Sequence, residues 1–486
     1  MKSYKIVIFI FLIITGLALL SAFFPADGIP IGNVTFRFPS LEKILTRNEA
    51  PSENVDDIMS GIDPDLEENL FSGMKDTLNF YHTIVATHPA RFYFPNDDIH
   101  FFDDLFYEMN HARRSKRVIR VLHYGDSQIE MDRITSDLRI FFQSAFGGGG
   151  PGLLPIVQSI PTSSVYQYSS GDFSVYSSYG DGTRSSDKNY GIMARCHRLV
   201  GTANFTVTAT KNAKLDKRLH HFNKVTLLFN DRSGHFSASL TDKKSRKVFH
   251  KNSLNEGVQS FVWQLDTPTT SISMTLSGEA DIYGVMVDNG SGVNVDNIPL
   301  RGCSGTNFTL ISDSILAESY RLADVGLIIL QFGGNSIPGI NGKKSVEGYK
   351  QRVARQIRYL SSIYPNAKIL FIGPSDMSVR VDGELQTYPW LPAVNQALKE
   401  AANENGAAFW DMYSVMGGHN SMITWVNSGY AGTDYIHFSP SGATKIGTAL
   451  SNSFSTMVNL YNLQQSMGES KFDEMWSEVA KSSPQK

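Results

Sequence analysis

The sequence has few cysteines and no strong excess of either charge. Of its 486 residues only 2 are cysteines, Cys196 and Cys303, which excludes a disulfide-rich scaffold and a zinc site with four thiolate ligands. Its 44 Lys and Arg residues and 47 Asp and Glu residues give a net charge of −3. No overall basic field is therefore available to hold nucleic acid, and we expect no nucleic-acid partner.

A nucleotide-binding loop is also missing. The run GGGGPG at residues 147–152 lacks the Lys-Ser/Thr pair of a phosphate-binding P-loop, so nucleotide binding is not expected. Apolar residues make up 41% of the chain and charged residues 19%, which fits a globular protein with a sizeable core.

Only one long apolar run is present, at residues 6–24. As a helix these 19 residues would span about 28 Å, close to the hydrocarbon core of a bilayer. Lys2 and Lys5 precede the run and should stay in the cytoplasm, which exports the rest of the chain. We expect an uncleaved signal anchor that tethers a periplasmic or cell-envelope protein to the inner membrane. A cleaved signal peptide is the alternative.

The chain after the apolar run opens a parallel α/β sheet. In VIRVLHYGDSQIEMDRITSDLRIFF an apolar strand stops at Gly125, and a tight turn and a helical pattern follow. The same rhythm returns in VGLIILQFGGN and AKILFIGP, which alternate with helical segments. Near-continuous apolar strands of this kind predict an α/β fold in which helices cover both faces of the sheet.

An all-β module interrupts this domain. Between the two α/β blocks, short strand-like runs such as FTVTAT, KVTLLFN, SISMTLS and DIYGVMVDN are separated by turn residues, which is typical of a β-sandwich. The predicted organisation is an anchor or signal at 1–25, a linker at 26–63, the α/β domain at 64–157 and 293–465, the β-sandwich at 158–292, and a polar tail at 466–486.

Five residues of this α/β domain could carry chemistry together. Singly, each has an ordinary explanation: Ser127 as a helix cap, Asp434 and His437 as loop residues, Gly305 and Asn335 as turn residues. However, Ser127 and Asn335 both follow strands, where α/β sheets place their active sites, and His437 comes three residues after Asp434. Acyl transfer needs a nucleophilic hydroxyl, a base, a group that orients the base, and donors for the oxyanion.

These positions resemble the four marker blocks of the SGNH (GDSL-type) hydrolases, in the same order: GDS with Ser127, CSG with Gly305, GGN with Asn335 and DxxH with Asp434 and His437. The resemblance implies a flavodoxin-like three-layer fold with Ser127 as nucleophile, His437 as general base and Asp434 as its orienting carboxylate. The oxyanion hole would consist of the Ser127 and Gly305 N–H groups and the Asn335 amide. The resemblance implies no metal and no organic cofactor.

The resemblance narrows to peptidoglycan O-acetylesterases, whose jelly-roll insert is similar to a family-35 carbohydrate-binding module. Three features support this narrower resemblance: the segment HYGDSQIEMDRITSDLR, the segment FGGGGPGLLP after it, and a β-module before the Gly305 block. One residue departs from the pattern, because the residue after the nucleophile is commonly His in this group and is Gln128 here.

Three functions follow from the resemblance as hypotheses. The first is an esterase that removes O-acetyl groups from cell-wall glycan. The second is an O-acetyltransferase that works beside a multi-span acyl-exporting membrane protein, and the third is a glycan-binding protein without catalysis. Two side issues stay open: Tyr residues of the insert could stack on sugars or pack inside it, and Cys196 and Cys303 could be free thiols or a disulfide.

Overall fold

The structure, a computed structural model, describes residues 73–210 and 220–482 and short pieces of the N-terminal segment (15, 16, 19, 24, 29–31, 34–36 and 55–60). Most of the predicted anchor at 6–24 and most of the predicted linker lie outside the described residues. Within the described part of the chain, no helix is both long enough and apolar enough to cross a membrane. Residues Met1–Asn54 form one unit, which contains the hairpin β1 (Ile29–Ile31) and β2 (Val34–Phe36), and Val55–Lys486 form the other.

A six-stranded sheet forms the centre of the second unit. Five strands are parallel and the short edge strand β3 is antiparallel. In spatial order the strands are β14 (Gly292–Pro299), β4 (Val118–Gly125), β15 (Val325–Gln331), β16 (Lys368–Ile372), β19 (Ala408–Trp410) and β3 (Phe92–Tyr93). The predicted α/β class with a parallel sheet is confirmed.

Helices cover both faces of this sheet. Alternate residues of β4 point to opposite sides, so Val121 packs in one apolar cluster and Leu122 in another. The first cluster contains helices α1 (Val55–Ser60), α2 (Met74–Thr87), α3 (Asp103–Ala112), α4 (Thr135–Phe146), α8 (Met412–Val415), α9 (Ser421–Asn427), α10 (Pro440–Met467) and α11 (Glu469–Ser482). The second contains α5 (Asp313–Ala323), α6 (Lys343–Ile363) and α7 (Leu391–Asn403).

The C-terminal segment differs from its prediction as a polar tail. Residues Glu469–Ser482 form the helix α11, because Phe472, Trp476 and Val479 recur at helical spacing on one face. Phe472 and Val479 are buried in the first apolar cluster, and the Trp476 ring stacks on Phe472. The segment looks polar in sequence because its other faces are solvated.

The inserted module is an antiparallel β-structure with its own apolar core. Its strands are β5 (Gly152–Leu154), β6 (Val165–Ser170), β7 (Phe173–Ser177), β8 (Arg195–Ala209), β9 (Phe222–Asp231), β10 (Ser237–Asp242), β11 (Val248–Asn252), β12 (Gly257–Thr269) and β13 (Ser271–Asp288). A further hairpin outside the module joins β17 (Ser378–Val381) and β18 (Glu384–Thr387). Pairing within the module begins at β5, upstream of the predicted boundary at residue 158.

One long strand ties the module together. Two of the predicted strands, SISMTLS and DIYGVMVDN, are parts of the single strand β13. Its first part pairs with β8 and β10, and its last part pairs with β9 and β5. Gly278 and Gly284 have φ angles of 121° and 153°, which only glycine adopts readily, and they fall where the strand changes partners.

A buried ion cluster joins the module to the edge strand β14. The Arg120 guanidinium on β4 donates to the Asp296 carboxylate on β14, at 3.0 and 3.1 Å, and to the Asp288 carboxylate at the end of β13. All three side chains are at most 3% exposed. The insert is therefore part of the folded core around β4, the strand that leads to Ser127.

Candidate active site

Ser127 lies directly after the carboxyl end of β4, where the chain turns sharply. The turn begins at Gly125, where a Cβ atom would come within 3.0 Å of the Ile129 side chain. Asp126 caps the following 3-10 helix (Ser127–Asp132), because its carboxylate accepts a hydrogen bond from the Gln128 N–H at 3.0 Å. The local sequence thus presents the Ser127 hydroxyl at the sheet edge.

A chain of hydrogen bonds joins Ser127 to two distant residues. The Ser127 Oγ lies 2.8 Å from His437 Nε2, and His437 Nδ1 lies 2.8 Å from Asp434 Oδ2. A carboxylate can only accept, so Nδ1 carries the proton and Nε2 of the neutral ring accepts from the Ser127 hydroxyl. The predicted residues, which are 310 positions apart in the chain, come together in an order that allows Ser127 to lose its proton to His437.

The DxxH turn fixes the Asp434 carboxylate. Its Oδ1 accepts hydrogen bonds from the N–H groups of Ile436 and His437, both at 3.0 Å. Partial burial opposes ionisation, but these bonds and the His437 ring outweigh it and hold the pKa of Asp434 below its ordinary value. Asp434 is therefore ionised at neutral pH and can stabilise a protonated His437.

Two side chains of the Ser127 turn hold the loop that carries His437. The Gln128 amide donates to the Ile436 carbonyl at 2.6 Å and accepts from the Phe438 N–H at 3.3 Å. The Arg133 guanidinium donates to the Phe438 carbonyl at 3.0 Å and to the Ser127 carbonyl at 2.8 Å. Both peptide groups that flank His437 are thereby tied to the nucleophile turn. Arg133 had no signal in the sequence beyond lying in a helical pattern.

Asn335 follows β15 and reaches the same site. Its amide Nδ2 donates to the buried Asp126 carboxylate at 3.2 Å and to the Cys303 carbonyl at 3.1 Å. Burial raises the pKa of Asp126 to about 6, although the Gln128 N–H and the nearby His437 lower it. Asp126, which was not singled out in the sequence, therefore positions both the start of the Ser127 turn and the Asn335 amide.

Gly305 is close to these residues but is turned away from the open space. It has a φ angle of 72°, and a Cβ atom there would come within 2.7 Å of the Phe332 ring. Its N–H donates to the Cys303 Sγ at 3.3 Å. Among the described residues, those lining the catalytic cleft include Ser127 and Asn335 but not Gly305. Its role as an oxyanion donor stays a prediction.

The catalytic cleft has a volume of about 540 Å³ and opens over Ser127 and His437. Its wall contains Arg133 and a bidentate ion pair in which Arg301 donates to the Glu130 carboxylate at 2.6 Å twice. Within the described part of the chain, no cluster of three or more His, Cys, Asp or Glu side chains is arranged to hold a metal ion.

Both cysteines are free, buried thiols, so the alternative of a disulfide between Cys196 and Cys303 is wrong. Burial raises the pKa of the Cys303 thiol to about 11, despite hydrogen bonds from nearby N–H groups. A thiol of this kind is protonated at neutral pH and makes a poor nucleophile. Cys303 instead packs behind Gly305.

The tyrosines of the insert differ in exposure. Tyr166 and Tyr168 on β6 are 72% and 68% exposed, whereas Tyr179 and Tyr190 are buried and are thus packing residues. Tyr176 is half-buried, with the Arg198 guanidinium carbon 4.9 Å from the centre of its ring.

Comparisons with known proteins agree with this architecture. Residues 274–445 match the model of the GDSL-like Lipase/Acylhydrolase family. This range includes Gly305, Asn335, Asp434 and His437 but not Ser127, because the inserted module separates the Ser127 block from the others in the chain. The sequence matches no curated protein.

Several solved structures are similar to the chain. A peptidoglycan O-acetylesterase matches with a TM-score of 0.59 and 20% identity, over 74% of this chain and 96% of its own. A family two carbohydrate esterase from Cellvibrio japonicus matches at 9% identity over 61% and 98% of the two chains, with a TM-score of 0.25. A family two carbohydrate esterase from Clostridium thermocellum, in complex with cellohexaose, matches at 10% identity over 59% and 99%, also with a TM-score of 0.25.

The family match and the shared fold of the first of these structures agree with the four marker blocks. The predicted resemblance to the SGNH hydrolases is thereby confirmed, and with it the predicted class of enzyme, a carboxylic ester hydrolase.

Proposed function

We propose that the protein is an extracytoplasmic serine esterase that removes O-acetyl groups from cell-envelope polysaccharide, in particular from peptidoglycan. One observation carries the catalytic part of the proposal. The hydrogen bonds from Ser127 to His437 and from His437 to Asp434, both 2.8 Å long, join a hydroxyl, a base and an orienting carboxylate at one wall of a cleft.

In the proposed reaction, Ser127 Oγ attacks the acetyl carbonyl carbon while its proton moves to His437 Nε2. The tetrahedral intermediate collapses, the sugar oxygen leaves with the proton from His437, and acetyl-Ser127 remains. Water then attacks this ester as His437 removes its proton, the bond from the acetyl carbon to Oγ breaks, His437 returns the proton to Ser127 Oγ, and acetate is released. Asp434 stabilises the imidazolium in both steps, and the proposed oxyanion donors are the Ser127 and Gly305 N–H groups and the Asn335 amide. Gly305 and Asn335 donate to Cys303 and Asp126 in this structure, so they would have to turn toward the oxyanion when substrate binds.

The choice of substrate rests on similarity and on the arrangement of the chain, not on the geometry of the catalytic residues. The similar solved structure is that of a peptidoglycan O-acetylesterase, the chain order matches the resemblance found in the sequence, and the β-module lies beside the cleft. The N-terminal apolar run supports export and tethering to the inner membrane, where O-acetylated cell-wall glycan would be the substrate.

Hydrolysis is favoured over transfer by the exposure of the base. The His437 side chain is 38% exposed and that of Asp434 is 49% exposed. Solvent therefore lies next to His437, the base that would activate a water molecule for attack on acetyl-Ser127. A transferase that passes acetyl to a glycan hydroxyl, with a multi-span acyl-exporting partner, would have to keep this water out.

The test uses the full-length chain, purified in detergent, on O-acetylated peptidoglycan, with and without a second glycan as acceptor. Wild type should release acetate, and Ser127→Ala should lower the rate by at least about 10⁴-fold, since the nucleophile is lost. Ser336→Ala, which removes a hydroxyl from the neighbouring turn, should keep full activity.

Three other outcomes are decisive. Acetyl groups on the acceptor instead of free acetate would establish the transferase. Acetate release that persists in Ser127→Ala would refute the assignment of the nucleophile. Binding to the glycan without any release of acetate would leave a non-catalytic glycan-binding protein.

A further inference from the structure

A second, smaller cavity adjoins the catalytic cleft. It has a volume of about 90 Å³ and lies where the end of β14 meets the β-module. Arg301 lines both this recess and the catalytic cleft, so the two spaces share a wall. When the acetyl ester of a glycan lies at Ser127, a neighbouring group of the same glycan would therefore lie next to the recess.

The floor of the recess and the rest of its lining differ in chemistry. The floor is formed by buried apolar groups, among them Leu153, Tyr179 and Met193, each at most 8% exposed. The lining also contains the guanidinium groups of Arg139, Arg195 and Arg301, and its one carboxylate, that of Asp132, is bound by Arg139. Apolar groups beside an excess of guanidinium groups fit a short carbon chain that ends in an anion.

Arg195 is held in place but has hydrogen-bonding capacity left over. Its guanidinium carbon lies 5.5 Å from the centre of the Tyr179 ring, and its Nη1 donates to the Ser159 hydroxyl at 3.2 Å. Its Nε is buried and has no hydrogen-bond partner among the described residues. A buried donor without a partner is costly, and a carboxylate oxygen would satisfy it.

Four guanidinium groups and three carboxylates line the cleft and the recess, so positive charge is in slight excess. Arg139 and Arg301 are paired with the carboxylates of Asp132 and Glu130. Arg133 donates to the backbone carbonyls of Ser127, Glu130 and Phe438, and it and Arg195 form no hydrogen bond to a carboxylate of the described residues. The path from Ser127 to the recess is thus electrostatically suited to an acidic ligand rather than to a neutral one.

We propose that the recess binds a carboxylate of the glycan close to the acetylated sugar, so that the enzyme selects acidic O-acetylated polysaccharide. This inference rests on the proposed function and specifies its substrate class. Two sources offer the same group: a carboxylate on the sugar itself, or one on a peptide attached to it. Arg195 binds this carboxylate through its guanidinium, with Nε turning into the recess, and the group stays packed against the Tyr179 ring.

Binding is measured by calorimetry with full-length Ser127→Ala, so that no ester is cleaved. The probes are peptide-free peptidoglycan strands with their sugar carboxylates free, the same strands with the carboxylates converted to methylamides, and peptide-bearing fragments. Replacing the carboxylate by an amide should weaken binding about tenfold, as expected for loss of one charge-assisted hydrogen bond. Adding Arg195→Gln should weaken binding of the acidic strands equally and leave the amidated strands unchanged.

Arg246→Gln is the matched control, because it removes the same charge from an exposed turn of the β-module, and it should change none of these affinities. Equal affinity for acidic and amidated strands, or an Arg195→Gln variant that binds acidic glycan like its parent, would overturn the proposal. Weakening confined to the peptide-bearing fragments would assign the carboxylate to the peptide. Binding that follows the prediction while wild type releases no acetate would refute the esterase and leave the carboxylate site standing.

Discussion

Replacing Gln128 by Leu should damage catalysis without touching any atom of the Ser127–His437–Asp434 chain. Gln128 is 7% exposed and makes three side-chain hydrogen bonds: to the Ile436 carbonyl, from the Phe438 N–H, and to the Ser375 hydroxyl. Each contributes about 1 kcal/mol net, so their loss amounts to about 3 kcal/mol. If this energy serves to hold His437 against Ser127, kcat should fall about 100-fold.

The assay is hydrolysis of 4-nitrophenyl acetate, whose small acyl group needs no contact with the β-module. We expect the loss in kcat, with KM changed far less, because Gln128 holds the base and does not bind the substrate. Gln128→His is the matched control, since a ring N–H can donate to the Ile436 carbonyl, and it should stay within about threefold of wild type. Urea unfolding checks that each variant is folded at the assay temperature.

A kcat for Gln128→Leu within threefold of wild type would refute this reasoning. The position of His437 would then depend on Arg133 and Asp434 alone, and the bonds of Gln128 would only stabilise the fold. A variant that unfolds in the assay buffer is replaced by Gln128→Glu, which keeps the acceptor for the Phe438 N–H and loses the donor to Ile436.

Two further predictions concern stability. Burial raises the pKa of Asp126 from 3.8 to about 6, so its stabilising contribution is complete below pH 3.8 and is lost as the pH rises through 6. Between pH 3.5 and pH 7.5, wild type should therefore lose about 3 kcal/mol in free energy of unfolding that Asp126→Asn does not lose. If urea unfolding gives the same difference between the two proteins at both pH values, this prediction is contradicted. Arg120→Met leaves two buried carboxylates without a cation and should destabilise the protein by about 3–5 kcal/mol, and an unfolding midpoint equal to that of wild type would show that the cluster adds nothing.

The sequence predicted those parts of the site that follow from local pattern. Ser127 and Asn335 follow strands whose apolar runs are clear in the sequence, and parallel strands bring their carboxyl ends to one edge of the sheet. The DxxH turn is also local, since Asp434 binds the N–H groups that follow it. Contacts made across the chain were not predictable: Gln128 meets Ile436 over 308 positions, and neither residue carries a pattern that points to the other.

The errors have equally specific causes. The strand β13 was divided in two because Gly278 and Glu279 look like a turn, whereas glycine in a strand can also mark a change of partner. The helix α11 was taken for a polar tail because only one of its faces is apolar. The pairing of Cys196 and Cys303 was left open rather than predicted wrongly, because a bond depends on the distance between their backbones, which composition does not give.

The contacts between the insert and the edge of the six-stranded sheet make the insert a structural part of the hydrolase domain. The strand β14 is an edge strand, and an open edge invites pairing with other chains. The insert closes this side: the Leu153 N–H donates to Asp296 of β14 at 2.7 Å, and Asp288 at the end of β13 pairs with Arg120. Excising the module would expose this edge and remove Asp288, one of the two carboxylates that bind the buried Arg120 guanidinium. It would also remove Arg195 and the floor of the recess, so the same packing that completes the sheet builds the second wall of the proposed glycan site.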